Sequence, residues 1–379
     1  KYIGPVTGYM ISWVYWLTWT ATLGTEFTAA ALLMQEWFPH ISMWIWTIIF
    51  AITIFALNLS STRIFAESEF WLALVKVVTV VAFIILGLLA IFGLIPFHGA
   101  ESAPLFHNLT AQGWFPQGLV PIFTTMLIVN FAFSGTELIG VAAGETKDPA
   151  VNVPKAINAA IWRLLIFFVG TIVVISALLP FQVAGLGGES VSNSPFVTVF
   201  NYIGIPYADD IMRFVIITAL LSAANSGLYA ASRMMWSLSA QRQLPQVFSR
   251  LSSSGTPIIA LVVTMFGAIP GLLSEHFAPE TIFKNLLGIA AFTMVIVWMS
   301  ICWSQFNFRR AWYKAGHSAK DLKFAAPLYP IVPILGFVFC FITGLSMAAD
   351  PEMQAGFIGC LLFIAACYLS HYVFYRDRT

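Results

Sequence analysis

The chain has 379 residues, of which 59% are hydrophobic and only 9% charged, whereas a soluble domain carries about 25% charged residues. This composition excludes a globular fold whose only solvent is water. The formal net charge of +1 leaves no extended basic face, so no nucleic-acid partner is expected. Apolar runs of about 20 residues, long enough to cross a lipid bilayer, recur along the chain. Helices are the expected element, because in lipid each segment must satisfy its own backbone groups.

Ten apolar segments are predicted to span the membrane. They lie at about 7–34, 41–59, 69–95, 118–142, 156–180, 208–236, 257–274, 281–304, 328–348 and 354–375. The outer loops 97–117 and 181–206 are long and rich in Gly, Pro, Ser and Asn, as expected for extracellular lids. A single membrane domain over 1–379 follows.

The basic residues support this count, because Lys and Arg gather in the cytoplasmic loops of membrane proteins. If the loops alternate between the two sides, most of the 18 basic residues fall on one side. These are Lys1, Arg63, Lys147, Lys155, Arg163, Arg233, Arg242, Arg250, Arg309, Arg310, Lys314, Lys320, Lys323, Arg376 and Arg378. Arg213 and Lys284 lie on the other side, and Lys76 lies inside a span. Both ends of the chain are therefore predicted to be cytoplasmic.

The reactive residue types do not form a catalytic or metal-binding pattern. The four cysteines lie in apolar runs without CxxC spacing, and the six histidines lie in loops or near span ends. There is no HExxH or GxSxG motif. We therefore expect neither an enzyme nor a metal site nor a cofactor.

Three ionisable residues stand out inside the predicted spans, where charge is costly and often functional: Glu26, Lys76 and Glu137. The other acids and bases lie in loops or at span ends. Burial disfavours the charged form of an amine, so Lys76 is a candidate to gain and lose a proton near neutral pH. The alternative for Lys76 is snorkelling to the nearby cytoplasmic end of its span. For Glu26 the alternative is a satisfied carboxyl packed against a neighbouring helix.

Residues 130–145 interrupt an apolar span with Ser, Thr, Glu and three glycines. Such a helix can unwind within the membrane where its freed backbone lines a polar cavity. Bare carbonyls would then face an ammonium group, and bare N–H groups would face a carboxylate, the two ends of an amino acid. The alternative is close helix packing through small residues. Ser222, Asn225 and Ser226 are predicted to face the same cavity, unless they only hydrogen-bond to neighbouring helices.

Several motifs resemble bacterial amino-acid permeases of the amino acid, polyamine and organocation superfamily, near the permeases of neutral amino acids and S-methylmethionine. Residues 133–149 (FSGTELIGVAAGETKDP) with 153–157 (VPKAI) look like the sixth helix and the loop after it. Residues 8–39 resemble the third helix, 67–83 the fifth, and 221–233 the eighth.

The resemblance implies an all-α transporter fold of two inverted five-helix repeats plus two added helices. Residues 1–95 would hold helices three to five, 118–304 helices six to ten (the second repeat), and 328–375 helices eleven and twelve. The first two helices would be absent from this chain, together with the glycine-rich break of helix one that takes the substrate carboxylate in the family.

The resemblance also assigns roles to individual residues. Phe131 matches the aromatic residue that closes over the substrate, and Ala132, Phe133, Ser134 and Gly135 match the unwound part of helix six. Glu137 matches an acid tied to proton sensing or to contact with cationic substrates. Lys76 matches a lysine that replaces a sodium ion in proton-coupled relatives. The expected substrate-binding set is completed by Asn225 and Ser226, and the expected proton-coupling set is Lys76, Glu137 and Glu26.

The expected function is import of an L-amino acid or a close derivative by proton symport with alternating access, in a bacterial inner membrane. The partners would be the substrate, protons and lipid. An amino-acid exchanger of the same fold is the alternative, and a channel is less favoured because three scattered charges do not line a pore. The sequence does not indicate an oligomeric state.

Overall fold

The computed structural model describes residues 2–60, 62–100, 103–113, 115–141, 143, 146–180, 194–273, 279–350 and 353–374. Within these ranges every regular element is a helix. Six helical stretches there are long and apolar enough to cross a membrane, and three shorter apolar stretches accompany them. The all-α, polytopic class is therefore confirmed, while the five-plus-five arrangement stays a prediction.

The described part of the chain contains 15 α-helices. In chain order they are α1 (Pro5–Trp37), α2 (Met43–Leu59), α3 (Thr62–Ile91), α4 (His107–Thr110), α5 (Val120–Phe131), α6 (Leu138–Val141), α7 (Pro149–Leu164), α8 (Gly170–Leu178), α9 (Pro195–Ile203), α10 (Ala208–Ala240), α11 (Ile258–Thr264), α12 (Ile269–Leu273), α13 (Pro279–Lys314), α14 (Ile331–Ala349) and α15 (Gln354–Phe374).

Each of the ten predicted segments contains at least one of these helices, but three of the segments are not regular. The segment 118–142 loses its helix after Phe131. A π-helical turn at Leu165–Val169 joins α7 to α8, and a 3-10 turn at Met265–Ala268 joins α11 to α12. Of the outer loop predicted at 181–206, residues 181–193 lie outside the described part of the chain.

Helix α1 occupies the centre of the bundle, where it packs against α10 and α13. Its core-facing positions include Thr18, Thr22, Thr25 and Thr28, all buried. Each of these hydroxyls donates to the carbonyl four residues earlier in α1, and the Thr18 hydroxyl also lies 2.9 Å from that of Thr293 on α13. A helix with so many hydroxyls can therefore remain buried.

Large apolar side chains are exposed along α3, α14 and α15. Examples are Val78, Ile85, Leu335, Leu362 and Leu369, which are between half and two-thirds exposed. Hydrocarbon solvates such surfaces without cost, so these three helices form faces toward lipid.

Two glycines allow α1 to approach the turn between α11 and α12 at backbone distance. A Cβ atom on Gly24 would lie 2.7 Å from the carbonyl oxygen of Gly267, and a Cβ on Gly267 would overlap the carbonyl oxygen of Thr20. Because the obstructing atoms belong to backbone, neither position can accept a side chain without a shift of the main chain. Close packing through small residues is typical of helices in membranes.

We expect Gly267→Ala to lower the free energy of unfolding by about 1–3 kcal/mol, because the added methyl overpacks a backbone contact. Thermal unfolding of the purified protein in detergent measures this change. Gly359→Ala is the matched control, since Gly359 lies in α15 and a Cβ atom there would meet no heavy atom within 4 Å. Equal midpoints for the two variants would contradict the expected close approach.

Candidate functional site

The helix break lies between α5 and α6, at Ala132–Glu137, where these six residues form turns and no helix. Gly135 has φ +92°, a left-handed conformation that glycine adopts without strain. In the part of the chain that the structure describes, the carbonyl oxygens of Ala132, Phe133 and Ser134 accept no hydrogen bond. The predicted interruption is confirmed. Of the motif 130–145, residues 142, 144 and 145 lie outside the described residues.

Glu137 braces the break from one side. Its Oε2 accepts the N–H of Gly135 at 3.1 Å and the indole N–H of Trp298 at 3.3 Å, and its Oε1 accepts the hydroxyl of Tyr15 at 3.3 Å. Tyr15 lies on α1 and Trp298 on α13. One carboxylate therefore ties the unwound segment to two neighbouring helices.

The end of α5 is held on the same side. The Asn130 side chain is buried and donates to the hydroxyl of Thr343 on α14 at 3.0 Å. Phe131 packs against an apolar cluster that contains Leu127, Phe292 and Met347. The structure thus places Phe131 in the packing between α5, α13 and α14.

A cavity of about 610 Å³ lies on the other side of the break. Its lining comes from α1, α3, the break, α6, α7, the π-helical turn and α10. The lining residues are Trp19, Thr22, Glu26, Glu69, Lys76, Ala132, Phe133, Ser134, Gly135, Thr136, Leu138, Ile139, Ala160, Arg163, Leu164, Phe167, Phe168, Ala219, Ser222, Ala223 and Ser226.

The cavity contains four ionisable side chains, although it lies among apolar helices. Glu26 is 8% exposed, and it accepts no hydrogen bond from any described residue. Lys76 and Glu69 are half-buried on α3, and Arg163 is exposed on α7. Charged groups are expensive in this setting and mark functional sites in membrane proteins.

Trp19 and Phe133 form aromatic walls of the cavity. Phe133 stacks on Phe168, with ring centroids 4.7 Å apart. Trp19 lies against Gly227 of α10, where a Cβ atom would come within 2.5 Å of the indole ring. The glycine therefore gives the indole room to lie flat against α10.

A polar network joins α3, α10 and α2 at one end of the cavity. Lys76 Nζ donates to Ser222 Oγ at 2.8 Å, and the Ser222 hydroxyl donates to Glu69 Oε1. Asn225 Nδ2 donates to Glu69 Oε2 at 3.1 Å, and Asn58 Nδ2 donates to Asn225 Oδ1 at 2.8 Å. Lys76 is therefore held inside the bundle by α10 and does not snorkel to the end of its helix.

Seven of the ten predicted site residues line the cavity together: Glu26, Lys76, Ala132, Phe133, Ser134, Gly135 and Ser226. Phe131, Glu137 and Asn225 do not appear in its lining. Asn225 is fully buried and bonds to neighbouring helices, as the interhelical alternative for this residue describes.

The sequence did not single out Glu69 and Asn58 as residues of this site, and it placed Arg163, which lines the cavity, among the cytoplasmic basic residues. We predicted Glu69 at the very start of a span, but α3 begins at Thr62 and places Glu69 two turns inside the helix. The available signal was the spacing of seven residues from Lys76, which puts both side chains on one helical face. Asn58 gave no local signal, because its partner lies on α10.

We expect Glu137→Gln to destabilise the protein by about 1–3 kcal/mol, because an amide turns an N–H₂ toward donors that the carboxylate accepts. Thermal unfolding of the purified protein in detergent checks this expectation. Glu36→Gln is the control, since Glu36 forms a 3.9 Å surface pair with Arg213 and should contribute less than about 1 kcal/mol. A Glu137→Gln protein with unchanged stability would show that Glu137 does not brace the break.

Comparison with known proteins identifies the family. The amino acid permease family model matches residues 1–379. A putative histidine permease of Bacillus subtilis (strain 168) is 46% identical over 379 residues, which are 100% of this chain and 78% of that protein. Amino-acid permease RocC of the same strain is 45% identical over 100% of this chain and 80% of its own length. The lysine-specific permease LysP of Escherichia coli (strain K12) is 39% identical over 96% of this chain and 76% of its own length. With its membrane-spanning helices and bacterial relatives, the chain is a multi-pass protein of the bacterial inner membrane and belongs to the amino acid permease family.

Proposed function

We propose that the protein imports an L-amino acid together with protons by alternating access. The observation that carries this proposal is the helix break at Ala132–Glu137, whose unpaired carbonyls lie beside a cavity with buried charges. Carbonyl oxygens at an unwound helix bind an ammonium group, and discontinuous helices at mid-membrane are a known design for transporter sites. Family membership supports an amino-acid substrate.

The break is well suited to hold the α-ammonium group of the substrate. The carbonyls of Ala132, Phe133 and Ser134 would accept its N–H groups, and Ser226 on α10 would add a hydroxyl from the opposite wall. The Gly135 N–H is already bonded to Glu137, so it is not the primary site for the substrate carboxylate. Phe131 would have to leave its cluster to close over the substrate, a movement that fits alternating access.

Proton coupling would use Lys76, Glu26 and Glu137. Protonation biases the balance of outward-open and inward-open states only if the two states bind the proton differently. Lys76 and Glu26 face the cavity, where access to water changes with state. Glu137 acts differently: a protonated carboxyl accepts fewer hydrogen bonds, so it would loosen its hold on Gly135, Tyr15 or Trp298.

The chain would adopt the five-plus-five inverted repeat of the family with two added helices, and both visible ends would lie in the cytoplasm. The excess of Lys and Arg in alternate loops supports this orientation.

We expect Lys76→Ala to abolish accumulation of the amino acid driven by a proton gradient in liposomes, because the charge held by Ser222 is lost. Lys155→Ala, which removes an exposed lysine on α7, is the control and should accumulate substrate like the wild type. Undiminished accumulation by Lys76→Ala would remove Lys76 from the mechanism. Wild-type uptake that requires internal amino acid and ignores the proton gradient would establish the exchanger instead.

The substrate is proposed to be an amino acid with a basic side chain. The carboxylate of Glu26 lines the cavity and accepts no hydrogen bond from the described residues, so it is free to bind a cationic side chain. Both oxygens of Glu69 already accept hydrogen bonds, from Ser222 and Asn225. The relatives named for histidine and lysine support the same choice.

We expect lysine, arginine and histidine to compete for binding more strongly than their uncharged analogues. Displacement of a labelled amino acid from the purified protein measures this, with norleucine as the neutral match for lysine and citrulline for arginine. Equal displacement by the neutral analogues would exclude recognition of a basic side chain, while leaving amino-acid transport in place.

A further inference from the structure

The network at the end of the cavity contains a directed chain of hydrogen bonds. Lys76 donates to Ser222, and Ser222 donates to Glu69. Ser222 thus uses its oxygen as acceptor toward the amine and its hydrogen as donor toward the carboxylate. A hydroxyl bonded in this way on both sides is the arrangement through which a proton passes between two groups.

The bridge is needed because Lys76 and Glu69 do not pair directly. They lie seven residues apart on α3, about two turns of helix. No direct ion pair joins them in the described part of the chain. Ser222 is fully buried on the facing helix α10, so its hydroxyl occupies the gap without exposure to solvent.

The second oxygen of Glu69 determines where a proton can sit. Glu69 Oε2 accepts an N–H from Asn225, whose own carbonyl is fixed by Asn58. A proton on Oε2 would face that N–H donor, which is unfavourable. The proton therefore belongs on Oε1, the oxygen that faces Ser222. Asn225 and Asn58 act through Glu69 and are positioning residues.

We propose that Lys76, Ser222 and Glu69 form one proton-exchanging unit, in which Glu69 takes the proton that Lys76 releases. An N–H bond of Lys76 breaks as its proton moves to Ser222 Oγ, and the original hydroxyl proton of Ser222 moves to Glu69 Oε1. An ammonium and a carboxylate become an amine and a carboxylic acid, so the net charge is unchanged and no other reactant is required. This inference rests on the proposed proton coupling and assigns it to a particular pair.

The exchange changes the cost of burying the pair. Two separated charges are expensive in a low-dielectric interior, whereas the neutral pair is not. The other charged groups around the unit are Glu26 on α1 and Arg163 on α7, while α2 and α10 contribute the neutral side chains Asn58, Ser222 and Asn225. Glu26 and Arg163 carry opposite charges, so their effects on the unit oppose one another. Solvent screens the charge of the exposed Arg163 more than that of the buried Glu26. Because water stabilises separated charges, the charged form of the Lys76–Glu69 pair is favoured when the cavity holds water, and the neutral form is favoured when the cavity is closed.

The experiment compares two transport modes of the protein in liposomes. Accumulation driven by a proton gradient requires coupling, whereas counterflow of labelled against unlabelled amino acid requires only binding and conformational change. The test variants are Glu69→Gln and Ser222→Ala, and Ser222→Thr restores a hydroxyl at the bridge. The controls are Glu67→Gln, an exposed acid two residues earlier, and Ser232→Ala, a buried serine of α10 whose hydroxyl donates to the carbonyl of Tyr229 within the same helix.

Glu69→Gln and Ser222→Ala should lose about tenfold or more of the driven accumulation ratio, a size typical of coupling between two sites. Both should retain counterflow, and the dependence of the substrate KM on pH should flatten. Ser222→Thr should recover part of the driven accumulation, and both controls should match the wild type.

The inference is overturned if Glu69→Gln and Ser222→Ala accumulate substrate like the wild type. It is also overturned if both modes fall equally, because the network would then be structural only. A wild type that shows counterflow without driven accumulation would overturn proton symport itself, and a wild type that shows neither would overturn amino-acid transport.

Discussion

The structure depends on one constraint: a helix that unwinds inside hydrocarbon must find new partners for its backbone. Between Ala132 and Glu137 the chain meets this constraint unequally on its two sides. On one side, Glu137 accepts the Gly135 N–H and binds Tyr15 and Trp298. On the other side, three carbonyls remain available at the wall of a cavity. The break is therefore held by hydrogen bonds on the side that packs against α1 and α13, and it offers free hydrogen-bond acceptors on the side that lines the cavity.

The buried charges follow a related rule. A lone ammonium in this bundle would be very costly, and the structure compensates by sharing hydrogen bonds across helices. Lys76 lies on α3, its acceptor Ser222 on α10, and the final amide, Asn58, on α2. A movement of any of these helices changes the bonds of the other two. The charge state of the site and the positions of these three helices therefore depend on each other.

The sequence predicted those features that local chemistry determines. Long apolar runs correctly indicated a helix within each of the ten predicted segments. The Ser-Gly-Thr-Glu run predicted the break, because such residues interrupt a helix at their own position. The partners across helices were not predictable in the same way. Glu69 was placed at a helix end because its own neighbours are polar, and nothing near Asn58 points to α10. Phe131 and Glu137, which are expected to take part in the substrate site, contact α13 and α14 or α1 and α13 in this structure, and their role in binding stays a prediction. The direction in which a side chain points cannot be predicted from helical periodicity where the chain leaves the helix.

The contact between Gly24 and Gly267 also bears on how this bundle can move. Two main chains that touch without intervening side chains cannot slide along each other, because each carbonyl would collide with the next residue. We therefore expect helix α1 and the turn between α11 and α12 to move together. Among the described residues, the hydrogen bond that joins the break to α1 runs from the Tyr15 hydroxyl to Glu137, a side-chain contact that rotation of Glu137 would break. The protein thus combines a closely packed pair of elements with a more loosely attached break, and the break is the segment proposed to bind the substrate.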